Sequence, residues 1–441
     1  MITLQRPGAL QALPPLSLYV HLPWCLRKCP YCDFNSHELA PKTPVASPLQ
    51  GALPQRGNPS PGIDSPQGLS MSGLSPRGGA SGLGRPGAGH LDARTETAYL
   101  SALCADLESA LPQIWGRRVH TIFIGGGTPS LFSPDGIDRL LADVRARLPL
   151  EPQCEITLEA NPGTFEKDRF KAFRQAGVNR LSIGVQSFDD AKLKALGRVH
   201  DRAQARAAIE EAQQHFETFN IDLMYALPGQ STAELDADVQ QALAFEPPHL
   251  SLYHLTLEPN TVFATRPPEG LPDEDTAFDM LDHLVVQTEK AGMQRYEVSA
   301  YARPGHQCQH NLNYWQFGDY LGIGAGAHGK ISFPDRIVRQ VRWREPATYM
   351  DKARLGQACS NEHEVNLASR GFEFMMNALR LKDGFELLRF TERTGLTLAS
   401  IQQPLAEAEA KGLLQRDLAR AWPTAKGFDF LSDLQALFLK D

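Results

Sequence analysis

Residues 17–32 read Ser-Leu-Tyr-Val-His-Leu-Pro-Trp-Cys-Leu-Arg-Lys-Cys-Pro-Tyr-Cys, and the fold turns on how they are taken. Ser17–Leu22 has the apolar, β-branched and aromatic content of a short strand. Directly after it, Cys25, Cys29 and Cys32 stand in a C-x3-C-x2-C spacing on what must be a tight loop. Three thiolates on one loop suit three irons of a cubane cluster. The fourth iron then has no protein ligand, which is the open coordination position that catalytic metal centres keep. Zinc is the competing reading. Structural zinc sites favour paired C-x-x-C units and need a fourth ligand. No second pair follows here, although His21 or His37 would complete such a site. The other four cysteines, Cys104, Cys154, Cys308 and Cys359, are isolated and read as small buried hydrophobes.

Downstream, strand and helix signals alternate. Strands are expected at Val119–Ile124, Glu155–Leu158, Arg180–Val185, Phe219–Met224 and His249–Leu255. Helices are expected at Arg94–Leu111, Pro134–Leu148, Lys167–Ala176, Arg202–His215 and Thr232–Phe245. Six β/α repeats imply an α/β fold with a parallel sheet covered by helices. Six is two short of a closed TIM barrel, so the expectation is an open, partial (β/α)6 TIM-like barrel. Beyond it, a helix at Asp273–Ala291, a strand near Gln294–Ala300 and a Gly-rich turn at Gly318–Gly329 are expected. From Glu364 the order helix, helix, helix, hairpin, helix resembles a winged helix.

These signals divide the chain into five parts. Residues 1–40 hold the first strand and cysteine loop, and 91–260 the rest of the barrel. Residues 261–363 complete and connect it, and 364–441 form a mainly helical, winged-helix-like domain. Residues 41–90 stand apart: 9 Pro, 11 Gly and 7 Ser in 50 residues, with no aromatic and no cysteine. Such a stretch buries too little apolar surface to offset its ordering entropy, and is expected to be a disordered insertion.

Composition narrows the function classes. The formal net charge is −7, so the chain is not built to attract nucleic acid or anionic lipid. Residues 364–441 carry 10 Lys/Arg against 11 Asp/Glu. A near-neutral module is a poor phosphate binder, so a packing or substrate-covering role is expected there in place of DNA reading. Seven cysteines, an odd count, suit metal ligands and free thiols in a reducing compartment. The residues before Pro15 show no basic start and apolar core, and no apolar run is long enough to span a bilayer; a cytoplasmic protein without an integral membrane segment is expected.

Taken with the cysteines, several motifs carry a resemblance. They are Cys25-x-x-x-Cys29-x-Tyr31-Cys32, Gly125-Gly126-Gly127-Thr128-Pro129, LEANPGT (158–164), GVQSF (184–188), LGRVH (196–200), DLMYALPGQ (222–230) and HNLNYW (310–315). The set resembles the radical SAM superfamily, and more narrowly its branch of oxygen-independent coproporphyrinogen III oxidases and haem chaperones. The resemblance implies a radical SAM barrel, a [4Fe–4S] cluster on Cys25, Cys29 and Cys32, and S-adenosylmethionine on the open iron. It implies cofactor contacts from Tyr19, Tyr31, Gly126, Gly127, Thr128, Glu159, Gln186, Arg198 and Asp222. Glu159 suits ribose hydroxyls or the ammonium, Arg198 the methionine carboxylate in a fork, Asp222 an adenosine hydroxyl, and Tyr31 the adenine.

Two departures separate the subgroups. The oxidases carry a fourth cysteine two positions after the third, where this chain has Phe34, and a longer N-terminal extension. Both departures point to the chaperones. The implied function is to bind haem and deliver it to an acceptor protein such as a respiratory enzyme, with an electron donor such as flavodoxin or ferredoxin, and without coproporphyrinogen oxidase activity. That oxidase activity is the alternative. Haem asks for an apolar slot and often a neutral imidazole. His310 is the candidate, with a hydrogen-bonded core histidine as the competing reading; His254, His306, His328 and Cys308 stand behind it.

One prediction rests on sequence alone. Deleting residues 41–90 is expected to leave iron and sulfide content and cofactor binding unchanged, as measured on the anaerobically purified variant.

Overall fold

The computed structural model describes residues 8–39, 91–164 and 168–439, so the stretch expected to be a disordered insertion lies outside the described residues. Six strands alternate with covering helices: β1 (Leu16–Leu22), α1 (Ala93–Ala110), β2 (Val119–Gly126), α2 (Pro134–Arg147), β3 (Leu150–Ala160), α3 (Arg169–Ala176), β4 (Arg180–Gln186), α4 (Arg202–His215), β5 (Thr218–Tyr225), α5 (Thr232–Leu243) and β6 (His249–His254). Then follow α6 (Glu274–Lys290), β7 (Ala300–Ala302), α7 (Gln309–Trp315), β8 (Asp319–Ile323), β9 (His328–Ser332), β10 (Ile337–Arg342) and β11 (Cys359–Glu364).

Local chemistry sets the helix ends. Ser133 accepts from the Gly136 N–H just before Pro134, and Asp201/Gln204 and Ser231/Glu234 form reciprocal capping boxes that start α4 and α5. Gly177, at φ 110°, ends α3 in the left-handed conformation.

Strand order across the sheet is β11-β10-β9-β8-β1-β2-β3-β4-β5-β6-β7, with the two-residue strand Gln294–Arg295 outermost. β1 through β6 are parallel and in chain order, the open partial barrel expected from the repeats. All but one residue of β1 are fully buried, as a strand covered on both faces requires. Leu18 lies opposite Ile122 on one side and Leu321 on the other, so β1 is central and the loop following it is anchored from both flanks.

Beyond β6 the expectations need correction. Most of Gly318–Gly329 is strand, not turn: β8 pairs in parallel with β1 and β9 turns back on it. Gly322 is there because a Cβ would strike the His328 carbonyl across the ladder. β10 and β11 extend the sheet where no strand was expected. The strand near Gln294–Ala300 is two short pieces, Gln294–Arg295 and Ala300–Ala302. Of the four isolated cysteines, Cys154 and Cys308 are buried, Cys104 is half-buried, and Cys359 is exposed on the edge strand β11.

The C-terminal part has the winged-helix order: α8 (Arg370–Ala378), α9 (Leu387–Thr394), α10 (Gln402–Ala410), then the hairpin β12 (Leu414–Arg416) and β13 (Arg420–Pro423), joined by the short strand Phe385–Glu386. Its apolar centre, Phe374, Phe385, Phe390 and Leu405, takes in Phe317 and Ile337 from the sheet's extension.

A buried polar knot ties α1 to that extension. Asp106 accepts from Arg342 Nε at 2.9 Å, the Tyr349 hydroxyl at 2.9 Å and the Gly324 N–H at 3.2 Å. Removing the carboxylate leaves Arg342 charged and buried. Asp106→Ala is expected to cost about 3–5 kcal/mol in denaturant unfolding, and a paired Asp106→Leu/Arg342→Met exchange markedly less.

Candidate functional site

The cysteine loop is fixed at its base. Trp24 and Cys25 pair in parallel with His37 and Glu38, closing the loop on itself. Asn35 Nδ2 donates to the carbonyls of Ala325 at 2.9 Å and Arg344 at 2.8 Å, pinning the loop to the β8–β9 turn and the end of β10. His21 Nε2 lies 2.9 Å from the Asn35 carbonyl, which only accepts, so Nδ1 accepts from the Tyr19 hydroxyl at 2.9 Å. Burial, opposed by the Asn35 bond, holds His21 neutral, down to about 4.

All three cysteines are half-buried, and each has its own polar neighbour. Thr128 Oγ1 is 3.5 Å from Cys25 Sγ, Arg198 Nη1 is 3.6 Å from Cys29 Sγ, and Ser36 Oγ is 3.8 Å from Cys32 Sγ. Burial pushes the Cys25 thiol up to about 11, against the Thr128 bond, and also raises Cys32. Ligation there must therefore expel protons. Among the described residues no three Cys, His, Asp or Glu side chains converge as ligands of one ion would. A cubane in which three irons take one thiolate each does not ask for such convergence.

Beneath the loop is a cavity of about 330 Å3. Cys25, Cys29, Cys32, Tyr31, Gly126, Gly127, Thr128, Glu159, Gln186, Arg198 and Asp222 all line it, so the structure brings eleven of the expected site residues to one place. Tyr19 lines an adjoining cavity that shares Gly126 and Glu159 with the first. The two glycines make the closest approach. The Gly127 N–H donates to the Leu22 carbonyl at 2.8 Å and the Thr128 N–H to the Trp24 carbonyl at 2.7 Å. A Cβ on Gly127 would lie 2.6 Å from the Trp24 carbonyl oxygen, and one on Gly126, at φ 121°, 2.8 Å from the His21 ring.

Farther round, the Gly126 N–H donates to Glu159 Oε2 at 3.0 Å. Gln186 ends β4 at φ 70°, next to a register shift, and lines the cavity. Arg198 donates through Nη2 to the Gly184 carbonyl at 2.8 Å and through Nη1 to the Tyr31 hydroxyl at 3.4 Å, while its buried Nε has no partner among the described residues. Asp222 accepts from Ser182 Oγ at 3.1 Å and Asn220 Nδ2 at 2.7 Å.

Besides the expected Gln186 and Asp222, the cavity floor takes residues not expected from the sequence: Arg180, Ser182 and Gly184 on β4, Asn220 and Met224 on β5, and His249, Ser251 and Tyr253 on β6. The signal was available: polar residues recur at every second position of strands otherwise rich in Leu, Ile and Phe. Asn35 and His21, which hold the loop, give no comparable pattern.

His310 is not brought to either cavity. It is 1% exposed, with Nδ1 2.8 Å from Thr121 Oγ1 and Nε2 3.1 Å from the Tyr314 hydroxyl. Both ring nitrogens are engaged, so the competing reading of a hydrogen-bonded core histidine describes it, and the expectation of a haem ligand is corrected.

Two buried acids give the cavity its electrostatic character. Burial, and then Asp222, push Glu159 up to about 8 against the bond from Gly126; burial likewise raises Asp222. A ligand with cationic groups relieves both. Because Glu159 is raised, the folded state holds a proton that the unfolded state has lost between pH 4.5 and 8, and stability falls as pH rises through that window. Glu159→Gln is expected to match the wild type in thermal unfolding near pH 4.5 and to exceed it increasingly toward pH 8.

Comparison with known proteins agrees with this geometry. Residues 94–242 match the model of the radical SAM superfamily, and residues 365–430 that of the HemN C-terminal domain. The chain is 45% identical to the protein named heme chaperone HemW of Escherichia coli (strain K12), over 97% of this chain and 99% of that one. It is 41% identical to heme chaperone HemW of Haemophilus influenzae, with the same coverage. Its fold is that of the coproporphyrinogen III oxidase HemN from Escherichia coli, with a TM-score of 0.72 over 97% of this chain and 90% of the other at 22% identity. The superfamily implies a [4Fe–4S] cluster and S-adenosylmethionine, and a half-buried cysteine trio above an acidic cavity fits both. With near-complete alignment over both chains and the barrel and C-terminal part each accounted for, this chain belongs to the HemW family of the radical SAM superfamily.

Proposed function

We propose that this chain binds haem and passes it to an acceptor protein such as a respiratory enzyme. Cys25, Cys29 and Cys32 hold the [4Fe–4S] cluster, and S-adenosylmethionine occupies the cavity below. The observation that carries this reading is that eleven residues from the cysteine loop, from β2 to β5 and their ends, and from the loop before α4 share one 330 Å3 cavity. In it, Arg198 takes the methionine carboxylate, Glu159 the ammonium or ribose hydroxyls, and Asp222 an adenosine hydroxyl. Gly126 and Gly127 offer backbone groups, Thr128 and Gln186 polar contacts, and Tyr31 an aromatic face. Tyr19 acts through His21, to which it is bonded. When bound, the cluster supplies one-electron chemistry, for which an electron donor such as flavodoxin or ferredoxin is part of the proposal.

The chaperone reading is favoured over coproporphyrinogen oxidation by Phe34. Its ring, 60% exposed, stands where the oxidases carry a further cysteine. No helix among the described residues is long and apolar enough to cross a membrane.

The test is anaerobic reconstitution followed by haem titration. Wild-type protein is expected to take up iron and sulfide, retain one haem per chain, and leave coproporphyrinogen unconsumed. Cys25→Ser is expected to lose the cluster absorbance. Decarboxylated porphyrinogen without haem retention would reverse the assignment in favour of the oxidase.

A further inference from the structure

The geometry points to His328 as the side chain that ligates haem iron, in the second cavity beside the cysteine loop. This deepens the proposed haem-binding function and rests on it. The second cavity measures about 500 Å3, within the range of cofactor sites, and shares Phe34, Gly126 and Glu159 with the first. Tyr314, Trp315, Phe317 and Tyr320 give it an aromatic wall. That is the apolar surface a porphyrin face requires.

Elimination then selects the ligand. Three histidines line the two cavities: His21, His249 and His328. His21 spends both ring nitrogens on Tyr19 and Asn35, and His249 spends both on Asn220 Oδ1 at 2.7 Å and the Tyr296 hydroxyl at 2.8 Å. The ring of His328, the first residue of β9, has no hydrogen-bond partner among the described residues. The other expected candidates lie elsewhere. His310, His254, His306 and Cys308 line neither cavity, and the Cys308 thiol faces Glu155 Oε1 at 3.6 Å.

Two further features suit a haem carrying propionates. Arg344, exposed at the same cavity, has no ion pair among the described residues, whereas neighbouring Arg339 is committed to Glu373 at 2.7 Å and to the Tyr320 hydroxyl at 3.0 Å. Trp315 has a buried indole N–H with no partner among the described residues. Although His328 is exposed, partial burial and then the charges of Arg339 and Arg344 hold it below the usual imidazole range. The imidazole is therefore neutral, with a lone pair to give.

The test uses full-length, cluster-loaded protein titrated anaerobically with ferric haem, read by the Soret and visible bands and by haem retained on gel filtration. His328 is exposed, so His328→Ala is expected to fold normally, to lose the imidazole-ligated spectrum and to bind haem at least tenfold more weakly, with free imidazole restoring the spectrum. His310→Gln is expected to keep the imidazole-ligated spectrum. If His328→Ala binds haem with wild-type spectrum and affinity, or if His310→Gln alone loses the ligand signature, the assignment of His328 fails while haem binding stands. If wild-type protein retains no haem, both fall.

Discussion

The close approach of the end of β2 to the cysteine loop is the contact on which the site depends. Two backbone hydrogen bonds, Gly127 to Leu22 and Thr128 to Trp24, lay the glycine turn against the chain leaving β1. They form only because no Cβ stands between Gly127 and the Trp24 carbonyl. That contact brings Thr128 Oγ1 to Cys25 and presents the Gly126 N–H to Glu159. Because β1 is held by parallel neighbours on both sides, the loop beyond it starts from a fixed point. A flexible cysteine loop would lose ordering entropy on gathering three thiolates around a cluster; much of that cost is already met in the fold.

The two cavities divide the chemistry by polarity. The first is floored by alternating polar residues of β4, β5 and β6, and two raised carboxylates favour a cationic occupant. The second has aromatic walls and Arg344, which has no ion pair among the described residues; these favour a flat apolar body with an anionic edge. Glu159 and Gly126 belong to both, so whatever fills one is separated from the other by a single layer of residues. Charge neutralised at Glu159 from the first cavity is thereby felt in the second.

Much of this was legible in the residues. The six β/α repeats, the cysteine loop and the strand-end residues stand out because each is written locally, in periodicity or in short spacing. What escaped was written in pairing. Gly318–Gly329 looked like a turn because glycine usually breaks a strand, but Gly322 serves a close backbone crossing that only the fold reveals. β11 escaped because an exposed edge strand such as Cys-Ser-Asn-Glu-His-Glu carries no apolar alternation, and β10 because its Ile-Val-Arg-Gln-Val-Arg buries Gln340 and Arg342 beside its apolar residues. His310 drew attention as a histidine beside aromatics. Its partners, Thr121 and Tyr314, decide that it is structural, and the contact with Thr121 joins residues 189 positions apart.

The winged-helix-like part packs against the second cavity. Its charge balance disfavours phosphate binding, and the contacts give it other work. Glu373 of α8 grips Arg339 on β10 at 2.7 Å, Arg339 in turn donates to the Tyr320 hydroxyl, and Asn377, one turn along α8, reaches the second cavity. Phe374, between them, packs edge-on against Phe317, another wall residue, with ring centres 5.7 Å apart. Thus α8 supports two of the four aromatic walls from behind. α8 commits Glu373, Phe374 and Asn377 to the barrel side, so this part packs against the second cavity within its own chain.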